Sequence, residues 1–288
     1  MGQIIISGIL LGGIYAIVSY GLTLIFGVIR VINFAHGSLL MVGMFMAYYL
    51  SKGMNLNIYL MMLIVVPLMF ILGVLIQKYL LSKVINEPDM QLFVTFGLLL
   101  LFENVMLAVT KGEFFSLDMN MGTIPIGSLV LDWGRLINLV AAIVLAILLL
   151  LFLNHTKIGW AIRAVSQNRY AAGIIGLRVE RLYILAFGLG SACIGIAAVL
   201  LTPIYTIFPH VGFNFVIVSF AVVILGGLGS IPGALAGGMI IGLLESLSGY
   251  LIAPELNQIV WYLLFLLVLF FRPAGLFGIA GSEEGGVK

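Results

Sequence analysis

The chain has 288 residues, of which 63% are hydrophobic and only 8% are charged, and its formal net charge at pH 7 is +2. A soluble domain carries about 25% charged residues, so this composition excludes a water-covered globular protein and predicts a membrane protein. Uninterrupted apolar runs of about 20 residues favour membrane-spanning helices and exclude a porin-like barrel, whose strands alternate at every second residue.

We therefore predict one all-α, polytopic transmembrane domain over residues 1–288, with a flexible tail at 281–288. A broken or re-entrant segment at 33–50 would reduce the count of membrane segments to eight, but we prefer nine. The nine predicted segments are about 4–28, 33–50, 58–77, 90–110, 136–153, 182–204, 213–228, 232–250 and 257–271.

Two glycine-rich stretches interrupt this pattern in a similar way. Segment one runs into GLTLIFGVIRVINFAHGSLLMVG, and segment seven runs into FAVVILGGLGSIPGALAGG. Asn33 and Ser230 are suitable N-cap residues and Pro232 suits a first helical turn, which predicts a new helix after each break. One interpretation is a pair of symmetry-related broken helices that line a translocation path; the other is tight packing with ordinary loops.

Few ionisable residues fall inside the apolar segments. A carboxylate in hydrocarbon costs about 2.5–3.5 kcal/mol on insertion scales, so an acid there needs a partner or a function. We expect a structural role for Glu103 and a helix–helix hydrogen bond for Glu245, which is close to Ser246 and Ser248. For His36, a packing role and a gating role are both open. The candidate path residues are Asn33, His36, Gly37, Glu103, Gly227, Gly229 and Gly233.

The only long polar interval, residues 154–181, is predicted to be a folded cytoplasmic loop. It holds five basic residues and one acid, with small and apolar residues at helical intervals between them. Basic residues concentrate on the cytoplasmic side of membrane proteins, and alternating the nine segments then places ten of the thirteen basic residues on that side. The N-terminus is predicted to lie outside and the C-terminus inside.

Several kinds of chemistry are excluded by missing motifs. The sequence has no GxxxxGK[ST] phosphate loop, no GxSxG elbow and no HExxH pair. The three histidines are dispersed, the single cysteine is Cys193, and the basic residues stand singly between apolar runs. We expect no cofactor, no metal, no nucleic-acid partner and no enzymatic activity, and any energy for transport would come from a partner.

The stretches GLTLIFGVIRVINFAHGSLLMVG, WAIRAVSQNRYAAGIIGLRVERLY and LGGLGSIPGALAGG resemble the permeases of high-affinity branched-chain amino acid ABC importers, of the LivH-like type. The similarity extends over essentially the whole chain. The resemblance implies a bacterial inner-membrane protein, surrounded by lipid, that handles an amino acid substrate. It also implies a second, LivM-like permease, two cytoplasmic ATP-binding subunits and a periplasmic or surface solute-binding protein.

In that family the cytoplasmic loop carries a coupling helix that docks an ATPase. The resemblance places its alanine–glycine pattern on Ala171, Ala172 and Gly176, with Tyr170 where a glutamate is usual. The docking set implied in this way is Arg163, Ala164, Arg169, Ala171, Ala172 and Gly176.

Two alternatives to a branched-chain amino acid importer remain at this stage. Permeases for urea or short-chain amides look closely similar, and a self-sufficient channel or secondary carrier belongs to another class. Pairing with a second permease and pairing with a copy of the same chain are both open.

Overall fold

The computed structural model describes residues 1–117, 119, 122–126, 129–253, 256–272 and 274–278. The predicted tail at 281–288 lies outside this part of the chain. Two short 3₁₀ helices (Ile58–Met61 and Leu81–Val84) flank the third α-helix. The α-helices of the described residues are α1 (Gly2–Ile29), α2 (Ala35–Met54), α3 (Met62–Tyr79), α4 (Pro88–Thr110), α5 (Trp133–His155), α6 (Lys157–Gln167), α7 (Arg169–Ile174), α8 (Val179–Leu201), α9 (Val211–Gly226), α10 (Ile231–Leu251) and α11 (Asn257–Phe271).

Helix α1 lies at the centre of the bundle. In its most apolar stretch 83% of the residues are buried, and in that of α8 72% are buried. In the corresponding stretches of α4 and α5 only 22% of the residues are buried. A helix that is apolar on all sides is stable in this central position only because other helices surround it. The exposed faces of α4 and α5 carry large apolar side chains such as Phe93, Leu101 and Leu148, which suits contact with lipid.

Six helical segments of the described residues are long and apolar enough to cross a membrane: Gly2–Ile29, Ile58–Val84, Pro88–Thr110, Trp133–His155, Val179–Leu201 and Ile231–Leu251. Helices α9 and α11 are apolar but shorter. These findings establish a multi-pass, mainly α-helical chain. The count of nine membrane segments stays a prediction.

Consecutive long helices run in alternate directions, so the bundle has two distinct ends. One end, which we call the hairpin end, carries the antiparallel strands β1 (Thr123–Ile126) and β2 (Leu129–Asp132). The side-chain amide of Gln3 at the start of α1 pairs with the backbone of Val130 in β2, at 2.7 and 2.9 Å. The other end, which we call the loop end, carries α6, α7 and Arg30.

The connection between α1 and α2, residues 30–34, is non-helical and turns back into the bundle. Arg30 ends α1 in the left-handed conformation, with φ 58°. In the first turn of α2, His36 Nε2 lies 2.9 Å from the carbonyl oxygen of Val18, which is eleven residues before the end of α1, or about 16 Å of helix rise. Helix α2 therefore begins beside the middle of α1. The chain re-enters the bundle before α2 starts, as expected of a broken segment at residues 33–50.

The contact between α1 and α10 depends on four glycines that let the two backbones touch. Gly8 and Gly12 on α1 face Gly242 and Gly238 on α10, so each helix presents two glycines four residues apart. A Cβ added to Gly12 would lie 2.7 Å from the Cα of Met239, and one added to Gly238 would lie 2.8 Å from the Gly12 carbonyl oxygen. Such small-xxx-small pairs allow close helix packing in membranes, where no hydrophobic force drives helices together.

We predict that Gly242→Val separates α1 from α10 and lowers the unfolding free energy by at least about 2 kcal/mol, since overpacking a close contact costs about 1–3 kcal/mol or more. The measurement is thermal unfolding of the purified protein in detergent. Gly97→Val on α4 is the matched control, because nothing lies within 4 Å of a Cβ at that position. Equal melting temperatures for the two variants would contradict the assigned packing.

Candidate functional site

The first glycine-rich break places Asn33, His36 and Gly37 inside the bundle. Asn33 and His36 are fully buried, and neither the Asn33 amide atoms nor His36 Nδ1 has a hydrogen-bond partner among the described residues. A Cβ on Gly37 would collide with the backbone of Gly212 at the start of α9. The prediction that Asn33 caps α2 is wrong: Phe34 holds the N-cap position without a side-chain hydrogen bond, and Asn33 uses only its backbone carbonyl, towards His36 N at 3.2 Å.

The second break joins α9 to α10 and contains Gly227, Gly229 and Gly233. The predicted cap is confirmed, because Ser230 Oγ accepts a hydrogen bond from the Gly233 amide at 3.1 Å and a proline follows in the first turn. Gly227 and Gly229 have φ angles of 105° and 82°, which side-chain-bearing residues rarely adopt. Residues 276 and 277 return to this break and donate backbone hydrogen bonds to Leu225 and Gly226.

The two breaks meet at the loop end of the bundle. A Cβ on Gly27, near the end of α1, would lie 2.7 Å from the Cα of Gly229. The rings of Phe34 and Phe220 pack with centroids 5.6 Å apart beside a wholly apolar cavity of about 290 Å³. The residues that line this cavity are Leu22, Phe26, Ile32, Phe34, Phe220, Val223, Ile224 and Leu228. Gly227, Gly229 and Gly233 lie at this meeting point, whereas His36 and Gly37 lie nearer the middle of the bundle, beside Val18 and Gly212. That the candidate path residues line a path stays a prediction.

Glu103 lies apart from the breaks, towards the hairpin end of α4. Its Oε2 atom is 3.2 Å from Nδ1 of His210, which precedes α9, and the Glu103 side chain is 9% exposed against 60% for His210. Its Oε1 atom has no partner among the described residues. This contact ties α4 to the loop before α9.

A polar cavity that the sequence did not reveal lies between α1, α9, α10 and α11. Its volume is about 350 Å³. Glu245 on α10 accepts a hydrogen bond from the hydroxyl of Tyr15 on α1 at 2.8 Å. The expected helix–helix bond of Glu245 therefore exists, but Ser246 and Ser248 do not form it: their hydroxyls donate to the backbone carbonyls of Ile4 and Glu245. Tyr15 and Glu245 are 230 residues apart in the sequence, so no local pattern reveals this pair.

The polar loop at residues 154–181 folds into α6 and α7, and each of these helices has a side-chain cap. Thr156 Oγ1 accepts from the Gly159 amide at 2.9 Å at the start of α6. Asn168 Oδ1 accepts from the amides of Tyr170 and Ala171, at 3.0 and 2.9 Å, at the start of α7. Ile162 and Val165 are buried, and α6 contacts α1, α5 and α8. The loop is thus fixed to the centre of the bundle.

The docking residues inferred from the family resemblance fall into different environments. Arg163 is exposed and donates to Asn154 Oδ1 at 2.8 Å, Arg169 is exposed and lies 3.3 Å from Asn86 Oδ1, and Ala164 is half-buried. Ala171 is exposed, whereas Ala172 is only 3% exposed and packs inward.

Gly176 ends α7 in the left-handed conformation, with φ 87°. The Leu177 amide bonds to the Ala172 carbonyl at 3.1 Å and the Gly176 amide bonds to the Gly173 carbonyl at 3.0 Å. Such reversed bonds after a left-handed glycine are how helices commonly end.

Three large apolar side chains that the docking set did not include stand out on and just after α7. Tyr170, Ile174 and Ile175 are 77%, 72% and 73% exposed, more than the other exposed apolar side chains of the loop, Ile158 at 45% and Trp160 at 55%. Exposed apolar groups framed by polar residues mark interaction surfaces. We call these three residues the α7 patch.

Among the described residues, no group of His, Cys, Asp or Glu side chains is arranged to hold a metal ion.

Comparison with known proteins shows one consistent family. Residues 4–269 match the family described as the permease component of branched-chain amino acid transport systems. The chain is 28% identical to the high-affinity branched-chain amino acid transport permease protein LivH of Salmonella typhimurium, over 98% of this chain and 97% of that protein. It is also 28% identical to BraD of Pseudomonas aeruginosa over the same shares. A probable LivH of Methanocaldococcus jannaschii is 27% identical over 96% and 92% of the two chains. No solved structure matches the chain significantly.

We predict that Gly176→Val loosens the end of α7, because a left-handed conformation costs a residue with a Cβ about 1–2 kcal/mol. The measurement is the rate of tryptic cleavage after Arg178 and Arg181 in the purified protein, which should rise several-fold. Gly176→Asn is the matched control, since asparagine tolerates this conformation. Equal cleavage of the valine and asparagine variants would contradict the cap.

Proposed function

Because the chain belongs to the family of branched-chain amino acid transport permeases, we propose that it is the membrane permease subunit of an ATP-driven importer for branched-chain or related amino acids. Two similar proteins are named as permease proteins of high-affinity branched-chain amino acid transport systems. The chain itself would not be an enzyme: it would form half of a translocation path beside a second permease. Two cytoplasmic ATPases would supply the energy, and a solute-binding protein would deliver the substrate from outside.

The distribution of basic residues supports a cytoplasmic position for the loop end. Among the described lysines and arginines, three lie towards the hairpin end, namely Lys52, Lys111 and Arg135. The other nine lie at the loop end, which is the pattern of cytoplasmic loops. This orientation puts the N-terminus outside and the end of α11 inside.

The observation that carries the proposal is the α7 patch. Tyr170, Ile174 and Ile175 would contact water at the cytoplasmic face unless another protein covered them, and burying each apolar square ångström gains about 25 cal/mol. A short helix that presents apolar anchors fits a groove on a partner, the helix-in-groove mode. The surrounding arginines, Arg163, Arg169 and Arg178, would set orientation and association rate.

The packing of α6 and α7 supports a route for mechanical coupling. ATP-driven closure of the ATPases would displace α7, and α6 would carry the movement to α1, α5 and α8 through Ile162 and Val165. The two glycine-rich breaks lie at the same end of the bundle, where Gly27 meets Gly229. Rocking of helices about such breaks is how transporters of several classes alternate access.

We predict that the double variant Ile174→Asp/Ile175→Asp reduces co-purification of the ATPase at least tenfold and abolishes ATP-dependent L-leucine uptake, because two charges would occupy the buried centre of the contact. The measurement uses proteoliposomes that hold this chain, the second permease and both ATPases. Val130→Asp in β2 is the control, because it adds a charge on an exposed position at the hairpin end.

Undiminished uptake in the double variant would contradict docking through α7. Leucine flux from the wild-type chain alone, without ATPases, would instead indicate a self-sufficient channel or carrier.

We further predict that a cysteine replacing Ile175, in a chain where Cys193 is alanine, resists a membrane-impermeant thiol reagent added to intact cells. A cysteine at Val130 should react under the same conditions, because the hairpin end would face outwards. Because Cys193 is the single cysteine of the sequence, its replacement leaves the introduced thiol as the only one. Labelling of the Ile175 position from outside would reverse the orientation and remove the coupling mechanism with it.

A further inference from the structure

We propose that the cavity beside Glu245 is a solute site in the outer half of the permease, and that the Glu245 carboxylate binds the ammonium group of an amino acid. This inference rests on the proposed function and adds a location and a chemical contact to it. The cavity volume of about 350 Å³ lies at the small end of the range for ligand pockets, about 300–1,000 Å³, which suits a solute of few atoms.

The first argument is the uncompensated charge of Glu245. No basic side chain of the described residues lies within 4.0 Å of this carboxylate, and its hydrogen-bond donor there is the neutral hydroxyl of Tyr15. Charges removed from water need a paired charge or strong hydrogen bonds. An ammonium group from the solute would supply both, and Tyr15 would act as a positioning residue that fixes the carboxylate rotamer.

The second argument is an indole N–H without a partner. Trp261 lines the same cavity, is 1% exposed, and its Nε1 atom has no hydrogen-bond acceptor among the described residues. Buried donors are nearly always satisfied, so an unsatisfied one in a cavity wall indicates an absent acceptor. The carboxylate of an amino acid is such an acceptor, and the amides of Asn214 and Gln258 on the same lining are further donors.

The remaining wall of the cavity is apolar. Val211, Phe215 and Val218 on α9 line it, and they are all buried. A zwitterion with a branched aliphatic side chain would thus meet an acid, N–H donors and an apolar surface in one cavity. A permanently anionic or wholly apolar solute would leave Glu245 without a cation.

The position of the cavity suits arrival from outside. Glu245 and Tyr15 each lie fourteen residues, or about 21 Å of helix rise, from the loop end of their helices. The connection before α9, with Tyr205 and Phe208, covers the cavity at the hairpin end. The two glycine-rich breaks lie further towards the loop end along the same helices, so a solute released from this cavity would next reach them.

The test measures binding directly through Trp261. The chain has three tryptophans, so in a Trp133→Phe/Trp160→Phe background Trp261 is the only tryptophan and gives the tryptophan emission. The purified chain in lipid nanodiscs is titrated with L-leucine, with 3-methylbutylamine, which lacks the carboxylate, and with 4-methylpentanoate, which lacks the ammonium group. We expect the first two to change the fluorescence at far lower concentrations than the third.

Glu245→Gln keeps an acceptor for Tyr15 but removes the charge, and it should weaken binding of L-leucine and of the amine at least about tenfold, which corresponds to about 1.4 kcal/mol. Glu245→Asp should recover part of this loss. Glu113→Gln, which neutralises an exposed acid at the same end of the bundle, is the control. Unchanged affinity in Glu245→Gln, or equal binding of the amine and the acid, would overturn the proposal.

Uptake by the complete importer separates the two levels of inference. If wild-type uptake is present and Glu245→Gln transports leucine with unchanged kinetics, the solute site is wrong and the proposed function stands. If the complete importer moves no amino acid while the amine-dependent fluorescence remains, the proposed function fails and the cation-binding cavity stands. Melting temperatures of all variants show that a loss of binding is not a loss of folding.

Discussion

The direct contact between the backbones of α1 and α10 is the constraint on which the rest of this structure depends. Gly8 and Gly12 meet Gly242 and Gly238, and no side chain could be inserted between them. This contact fixes α1 at the centre, and α1 in turn positions α5, α8 and α9 around it. Because lipid is as apolar as the helix surfaces, shape complementarity of this kind has to replace the hydrophobic effect.

The same contact explains why the cavity beside Glu245 and the two glycine-rich breaks follow one another along α1. From the hairpin end to the loop end, α1 presents Tyr15 to Glu245, Val18 to His36, and Gly27 to Gly229. The folded loop of residues 154–181 is attached to this axis through the buried side chains of α6. A displacement at α7 would therefore reach the breaks and the cavity beside Glu245 through one rigid element rather than through a chain of flexible contacts.

Much of the fold followed from the sequence, because apolar length and caps are local properties. A helix lies in each predicted apolar segment, although only six helical segments of the described residues are long and apolar enough to cross a membrane, and the Ser230 cap and the short helices of the polar loop are present. Asn33 was misassigned because the non-helical connection that carries it turns back into the bundle, which no local pattern specifies. The Tyr15–Glu245 pair and the α7 patch were missed for a related reason: the first joins residues far apart in sequence, and the second depends on which side of a short helix faces the bundle.

The central place of α1 has a consequence for biosynthesis. Helix α1 is made about 230 residues before its partner residues in α10, or roughly 10–50 s earlier at common rates of synthesis. During that wait the hydroxyls of Ser19 and Thr23 are satisfied within α1 itself, by the carbonyls of Tyr15 and Ser19 four residues earlier. The hydroxyl of Tyr15 instead donates to Glu245 on α10, so α1 enters the membrane with a polar group whose acceptor is made much later.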